Sequence, residues 1–251
     1  MPHLRFELSH SHAMDDSGST QLGSLARGAL RHDVARRLLG AIFSGEMPAG
    51  TRLVIQRLAE QFQISSTPIR EALVELESIG IVEFLHNKGA LVKPFGIKEL
   101  HEIYHLRRVL ETEATLLACG KIPLAQLQAL SDAMQDLHEK GSVNAQWSQQ
   151  EMATDRSLHA LIAANSGSSR LANEIRRYEI LVQAGRSIVG NERFAQQQAL
   201  FEHRTIIDCL LKGNRQEAAA AMATHINNTA EIVASLMLPR IAASTVNEKL
   251  A

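Results

Sequence analysis

The stretch from Met47 to Pro94 reads MPAGTRLVIQRLAEQFQISSTPIREALVELESIGIVEFLHNKGALVKP, and it decides the fold of the first third of the chain. A short helix is predicted from apolar residues at helical spacing, Ile55, Leu58, Ala59 and Phe62. A break at residues 63–66 precedes a second helix with the buried stripe Ile69, Leu73, Leu76 and Ile79. Residues 81–85 and 90–93 then read as two short strands around a turn that holds Lys88 and Gly89.

The ends of these elements carry local signals. A preceding amphipathic helix is predicted over 31–43. In the later helix Thr67 is expected to cap the first turn, with Pro68 at the first helical position, and Gly80 ends it. The order helix, turn, helix and two-stranded wing is that of a winged helix-turn-helix, a DNA-reading module.

A recognition helix reads the major groove with residues of its N-terminal turn, while a wing reaches the backbone or the minor groove. The candidate DNA-binding residues are Arg52, Gln56, Ser65, Ser66, Thr67, Arg70, His86, Lys88 and Gly89. An alternative is that Arg70 is an ordinary surface arginine and Lys88 a common turn residue. Helix-turn-helix units also serve as dimerisation modules. The combined pattern favours DNA binding.

Composition limits the remaining possibilities. The net charge of -1 gives no bulk attraction to nucleic acid, so phosphate contacts depend on local placement. Cys119 and Cys209 lack metal or redox spacing, which favours a reduced, cytoplasmic protein. No apolar run is long enough to span a bilayer, so no membrane partner is expected. Residues 1–22 are predicted to be a disordered tail, followed by the DNA-binding domain over 23–94.

No strand pattern follows residue 96, so the fold class is mainly α. Helices are predicted near 97–119, 123–140, 145–165, 168–188, 192–212 and 214–237, separated by Gly, Asn, Ser and Pro breaks. Six helices with short connections predict an antiparallel bundle over 97–240. Bundle centres are where ligand and metal sites are built.

Four residues of the predicted bundle point toward its core. Asp155 and His159 lie one helical turn apart on one face, and His203 and His225 each share a stripe with apolar residues. A single buried histidine is more often a satisfied core residue than a ligand. Together, one carboxylate and three imidazoles form a ligand set suited to Zn²⁺, Ni²⁺ or Mn²⁺ with open coordination positions.

A rival hypothesis is an enzyme. His101-Glu102-Ile103-Tyr104-His105 satisfies the H-E-x-x-H signature of zincin metalloproteases. Both histidines lie off the apolar stripe of their helix, so they are expected to face outward, and no third ligand stands out downstream. The sequence therefore favours a regulator that is not an enzyme.

Residues 27–94 resemble the winged-helix domain of the GntR superfamily of bacterial transcription regulators. The matching motifs are Pro48-Ala49-Gly50, Leu58-Ala59, Ser65-x-Thr67-Pro68-Ile69-Arg70-Glu71-Ala72-Leu73, Leu76, Gly80 and Gly89-Ala90-x-Val92. Ser66 stands where the family usually has an arginine that reaches a guanine, so the operator is expected to differ or affinity to depend more on Arg70 and the wing. Gln63 replaces the family's turn glycine.

Residues 97–237 resemble the effector domain of FadR-type regulators, the FCD domain. The matching motifs are Leu106-Arg107-Arg108-x-Leu110-Glu111, Asp155-x-x-x-His159, Glu202-His203-x-x-Ile206 and Gly213-Asn214 with Ala218 to His225. In the metal-binding branch the corresponding Asp and three His hold a divalent cation, and a small carboxylate effector binds beside it.

This resemblance implies further expectations. Arg107 matches the family's helix-start arginine and is a candidate effector clamp, which Arg176 or Arg186 can supplement. A packing or salt-bridge role for these arginines is the alternative. A homodimer that reads a pseudo-palindromic operator is expected, with repression the default for the family. The metal can also be purely structural, or can itself be the signal.

Overall fold

The computed structural model describes residues 21–86, 88–141, 144–189 and 193–248. The chain divides into two compact units, with the boundary in the sequence between Phe95 and Gly96. Nearly all of the predicted tail, residues 1–22, lies outside the described residues. In the described part the first unit contains α1 (Gln21–Phe43), β1 (Arg52–Leu53), α2 (Ile55–Phe62), α3 (Ser66–Ser78), β2 (Val82–Leu85) and β3 (Gly89–Val92).

Helices α1 and α3 form the core of the first unit. Val34 and Leu38 of α1 are fully buried, as are Ile69 and Leu73 of α3, so the predicted apolar stripes are the faces that pack. Helix α3 begins two residues earlier than predicted. Its N-cap is Ser65 rather than Thr67. Pro68 therefore lies in the first turn, where a backbone N–H has no acceptor within the helix, so the missing N–H costs no hydrogen bond.

The wing belongs to a three-stranded antiparallel sheet rather than an isolated hairpin. Strand β3 lies in the middle, pairing with β2 through Val82↔Val92 and with β1 through Leu53↔Ala90. The sequence prediction missed β1 because two residues are too short for any alternation. This third strand anchors the wing to the segment that leads into α2.

The wing turn is held close to β1. The Arg52 Nε donates to the Lys88 carbonyl at 2.9 Å. Gly89 has φ of 85°, and a Cβ on it would lie 2.2 Å from the Leu53 carbonyl oxygen. Only glycine fits here, because both the left-handed backbone and the close strand exclude a side chain.

We expect Gly89→Ala to destabilise the first unit by about 2–3 kcal/mol, since it combines backbone strain with displacement of β1. Gly80→Ala is the matched control, because Gly80 has φ of 78° but open space around its Cβ position. That control should cost only about 1 kcal/mol. Urea denaturation followed by circular dichroism measures both, and equal losses would show that contact with Leu53 contributes nothing.

The second unit contains only helices among its described residues. They are α4 (Ile97–Ala118), α5 (Leu124–Lys140), α6 (Ala145–Asn165), α7 (Ser169–Arg177), α8 (Glu179–Val189), α9 (Arg193–Leu211) and α10 (Arg215–Glu248). Helix α10 packs along α4 and α9, and α6 packs against α4 and α5. The bundle predicted from sequence is confirmed, with one helix divided in two.

The division falls at Tyr178, within the helix predicted over 168–188. The Tyr178 amide bonds to the Ile175 carbonyl at 3.2 Å, a three-residue spacing that tightens the turn. No glycine or proline marks this point, so the sequence carries no breaking signal. The bend sends α7 against α4 and α6 and sends α8 against α10. None of the described helices is long and apolar enough to cross a membrane.

Candidate metal centre and nucleic-acid interface

Three helices bring the four predicted metal-binding residues together. Asp155 and His159 come from α6, His203 from α9 and His225 from α10. One ligand atom from each residue lies within 4.8 Å of the others, and no other such group of three or more occurs in the described residues. Asp155, His203 and His225 are buried, while His159 is half-buried. The helical period sets the Asp155–His159 pair, and packing of the three helices completes the group.

The spacing of these atoms fits a single divalent cation. His203 Nε2 lies 2.8 Å from Asp155 Oδ1 and 3.1 Å from His225 Nε2, and His159 Nε2 lies 3.4 Å from Asp155 Oδ1. An ion with bonds of about 2.0–2.2 Å separates neighbouring ligands by roughly 3.0–3.4 Å. Three imidazoles and one carboxylate also form a donor set that Zn²⁺ and similar ions accept.

Two carboxylates, one buried and one half-buried, orient the histidine rings. Glu111 accepts from His159 Nδ1, and Glu202 accepts from His225 Nδ1 at 2.9 Å. An ionised carboxylate can only accept, so each of these Nδ1 atoms carries a proton and leaves Nε2 as the ring nitrogen that would bind a cation. Asn228 and Gln198 hold Glu202 in place at 2.6 Å and 3.0 Å. The Nε2 atoms of the two rings therefore face the place where a cation would sit.

The pKa shifts of the two rings point in opposite directions. Burial raises the pKa of Glu111, but the Arg107 guanidinium and His159 outweigh it and hold the pKa at about 2. Burial lowers the pKa of His159, yet Glu111 and Asp155 raise it to about 9. Burial and the neighbouring His203 lower the pKa of His225 to about 3, which keeps that ring in the neutral form that binds metals.

A cavity opens directly beside Asp155 and His159. The space open to the centre of a water-sized sphere is about 100 Å³, and all the empty space, including open solvent, is about 720 Å³. Asp155 and His159 line its inner end together with Arg107 and Glu111. The bend at Tyr178 brings both α7 and α8 to the opposite wall. The cavity is large enough for a small organic molecule that reaches the candidate metal centre.

The three arginines predicted to bind an effector have different surroundings. Arg107 is 4% exposed, forms an ion pair with Glu111 at 2.9 Å, and its Nη1 has no hydrogen-bond partner among the described residues. Arg176 is exposed at the cavity mouth and donates to Asn173 at 2.8 Å. The side chain of Arg186 lies outside the described part of the chain. Arg107 is thus a buried cation whose Nη1 group is available to donate a hydrogen bond to a ligand.

The H-E-x-x-H residues lie elsewhere. His101, Glu102 and His105 are exposed on α4, as their position off the apolar stripe predicted. The His105 ring contacts Arg108 at 3.3 Å, and the described residues place no third metal ligand beside the two histidines. The motif therefore has the sequence of a zincin site without its geometry.

The first unit presents most of its candidate DNA-binding residues on one face. A groove runs between the wing, the start of α2 and helix α3, and six of the nine candidates line it: Arg52, Gln56, Arg70, His86, Lys88 and Gly89. Ser65, Ser66 and Thr67 are exposed at the N-terminal turn of α3 but do not line this groove. Eight of the nine candidates are exposed, as groups that contact DNA must be, and Gly89 is half-buried.

The turn before α3 accommodates the side chain that replaces a glycine. Gln63 has φ of 55° and is the one described non-glycine residue with positive φ. Its amide still bonds to the Ala59 and Glu60 carbonyls, so the end of α2 is satisfied. The turn therefore keeps its left-handed geometry with a glutamine.

Sequence reasoning did not single out the supporting residues of the centre. Glu111 and Glu202 orient the rings, and Arg156, Glu179 and Gln183 line the cavity. One signal was available. Arg107 and Glu111 are opposite charges four residues apart on the buried stripe of α4, and charged residues are rarely buried unless paired.

Comparison with known families gives two matches. The profile described as "Bacterial regulatory proteins, gntR family" matches residues 30–92. The FCD domain profile matches residues 102–228, about half of the chain. The first match covers the helices and wing of the first unit. The second contains all four candidate metal-binding residues.

Individual relatives agree with these matches. The chain is 27% identical over 213 residues to the HTH-type transcriptional regulator LutR of Bacillus subtilis, covering 76% of this chain and 95% of that one. It is 42% identical over 88 residues to the gluconate operon transcriptional repressor of Bacillus licheniformis, covering 35% and 36%.

A solved structure of E. coli McbR/YncC has the same fold, with a TM-score of 0.59 and 24% identity over 81% of this chain and 96% of that one. The curated relatives named above are transcriptional regulators and not enzymes. The chain therefore belongs to the GntR family of transcriptional regulators and carries a DNA-binding winged helix-turn-helix followed by an FCD domain.

Proposed function

We propose that the protein is a regulator whose affinity for operator DNA is controlled by a small carboxylate effector bound beside a divalent metal ion in the FCD domain. The observation that carries the proposal is the arrangement of the cavity. Asp155 and His159 of the four-residue ligand group line the same cavity as the buried Arg107, whose Nη1 has no hydrogen-bond partner among the described residues. Such a pairing of a cation site with a guanidinium suits the two oxygens of a carboxylate.

The division of labour follows the two domains. We assign DNA recognition to residues 23–94 and effector response to residues 97–240. Asp155, His159, His203 and His225 hold the ion, Zn²⁺, Ni²⁺ or Mn²⁺, which supplies positive charge and open coordination positions for the acid. Arg107 orients the bound acid from the side, while Glu111 keeps Arg107 and His159 in place.

A homodimer that binds a pseudo-palindromic operator suits this arrangement, because two winged helices read two half-sites at a fixed spacing. Effector binding in the bundle would change that spacing and hence operator affinity. Repression is the favoured output, in keeping with the similarity to the gluconate operon transcriptional repressor of Bacillus licheniformis.

The DNA interface is assigned to the nine candidates around α3 and the wing, of which all but Gly89 are exposed. Arg70 is the arginine among them that projects from α3, and Ser66 cannot make a bidentate contact with a guanine. Arg70 therefore provides the strongest base contact, and Arg52, His86 and Lys88 contribute backbone contacts from the wing side.

The experiment is selection of operator DNA from a random library with the purified full chain, followed by fluorescence anisotropy titration. We expect Arg70→Ala to weaken operator binding by roughly 10- to 100-fold, as loss of one bidentate arginine–guanine contact does. Random DNA should be affected far less. Arg215→Ala, which removes an exposed charge from the second unit, should change neither affinity.

The salt dependence separates the two roles open to Arg70. A phosphate contact would weaken operator and random DNA equally and reduce the slope of log affinity against log salt by about one. That result would contradict the base-reading assignment. If the selection returns no preferred sequence at all, the proposal that this protein controls specific operators fails.

A further inference from the structure

The walls of the cavity differ sharply from its inner end. Apart from its charged groups and Gln183, the lining is apolar and mostly small: Met152, Ala160, Ala163, Ala164, Ala172, Ile175 and Val182. No hydroxyl or amide group interrupts this stretch except Gln183. Small side chains leave room, and their methyl groups offer a bound molecule no hydrogen bonds.

The other polar groups of the lining are occupied with one another or with neighbouring residues. Arg156 Nε lies 3.5 Å from Glu179 Oε1, and Gln183 Nε2 donates to the same oxygen at 3.1 Å. Arg176 is bonded to Asn173. A ligand hydroxyl placed in the middle of the cavity would lose its bonds to water and gain none from these walls, which is costly.

The charge at the inner end does not favour a ligand with two anionic groups. Asp155, Glu111 and Glu202 contribute three negative charges, and Arg107 contributes one positive charge. A divalent ion held by neutral imidazoles would bring this sum to zero. The Arg156–Glu179 pair cancels, and Arg176 is exposed to solvent, which screens it. A second carboxylate on the ligand would therefore find no matching buried cation.

We propose that the effector is a monocarboxylic acid with an apolar body, in contrast to a sugar acid or a dicarboxylic acid. The proposal rests on the proposed function, because it takes the carboxylate site at Arg107 and the metal centre as given. Two independent observations carry it. The apolar lining, here called the alanine wall, favours a ligand with an apolar chain. The buried Arg107 lines the same cavity, and its Nη1, which has no hydrogen-bond partner among the described residues, favours a carboxylate at one end of that ligand.

The test uses three acids of equal carbon number. Hexanoate, gluconate and adipate are titrated by calorimetry into the full-length, metal-containing protein, whose metal content is measured in the same sample. We expect hexanoate to bind at least about tenfold more tightly than gluconate or adipate. Along propionate, butyrate and hexanoate, affinity should rise about three- to fourfold per methylene, the value of a buried CH₂ group.

Variants of single alanines test whether hexanoate binds against the alanine wall of the cavity. Ala163 is 5% exposed and lies one turn beyond His159, so Ala163→Leu should reduce hexanoate affinity by at least about tenfold while metal content stays unchanged. Ala153→Leu places the same side chain on an exposed position of α6 away from the cavity and should have no effect. Ala164→Leu, at an exposed lining position, repeats the test if Ala163→Leu does not fold.

Two outcomes overturn the inference in different ways. If gluconate or adipate binds as tightly as hexanoate, the ligand class is wrong while the proposed function stands. If none of the acids binds protein that carries its metal, the carboxylate effector itself is refuted, and the inference falls with the proposed function.

Discussion

Arg107→Met is expected to destabilise the second unit by about 3 kcal/mol, because it leaves the carboxylate of Glu111 buried without its cation. Both side chains are about 5% exposed or less, and they form two contacts of 2.9–3.0 Å. The pKa of Glu111, held at about 2, shows that the group stays ionised at neutral pH. His159 remains as a partner, so the loss should lie at the lower end of that for a broken buried pair.

Urea denaturation can measure this effect in the second unit alone. Trp147 is the single tryptophan of the chain, lies 4% exposed on α6, and donates to the Leu137 carbonyl. Its fluorescence therefore reports unfolding of the bundle. Glu111→Gln and the double variant complete a cycle in which we expect a coupling energy of about 2 kcal/mol.

The same variants separate two roles of Arg107. If the arginine only packs and pairs with Glu111, the double variant should recover stability and still bind acids. If Arg107 also clamps the effector, acid binding stays lost in the double variant although the fold is restored. An unchanged urea midpoint for Arg107→Met would show that the pair contributes nothing to stability.

The sequence predicted the individual helices and strands of this protein better than the contacts between them. Gly80 marks the end of the recognition helix because it adopts the left-handed conformation there, and Pro68 marks the first turn because its missing N–H costs no hydrogen bond. The bend at Tyr178 has no such residue, since tertiary packing of α7 and α8 on different helices determines it. Strand β1 was missed for a similar reason, because its two residues are defined only by their partner β3.

The candidate site shows the same limit. Helical spacing alone places Asp155 and His159 on one face. Their meeting with His203 and His225 depends on how α6, α9 and α10 pack, and the family resemblance supplied that part. Glu111 contacts His159 across 48 residues of sequence, and no local pattern predicts such a pair. No pattern in the sequence indicated the alanine wall of the cavity, because alanine is common on any helix.

The second large effect is expected for His203→Ala, which should lose at least about 99% of the metal affinity of the wild-type protein, since even the groups that orient ligands are worth 10- to 100-fold. His203 is 1% exposed and touches two other candidate ligands. His101→Ala, in the exposed H-E-x-x-H motif, is the control and should keep its metal. Elemental analysis of purified protein measures both, and the reverse result would place the metal at the other motif.

Thermal melting of these two variants then distinguishes the possible roles of the metal. An ion present at 100 times its dissociation constant stabilises a fold by about 2.7 kcal/mol, so a chelator should lower the melting temperature of wild-type protein and of His101→Ala but not of His203→Ala. If hexanoate adds a further shift that the chelator removes, the ion takes part in effector binding. If the chelator acts and no acid does, the ion is structural or is itself the signal. The distinction is sharp because His203 contacts the other candidate ligands and is absent from the cavity lining, so its loss removes the ion while Arg107 and the alanine wall stay in place.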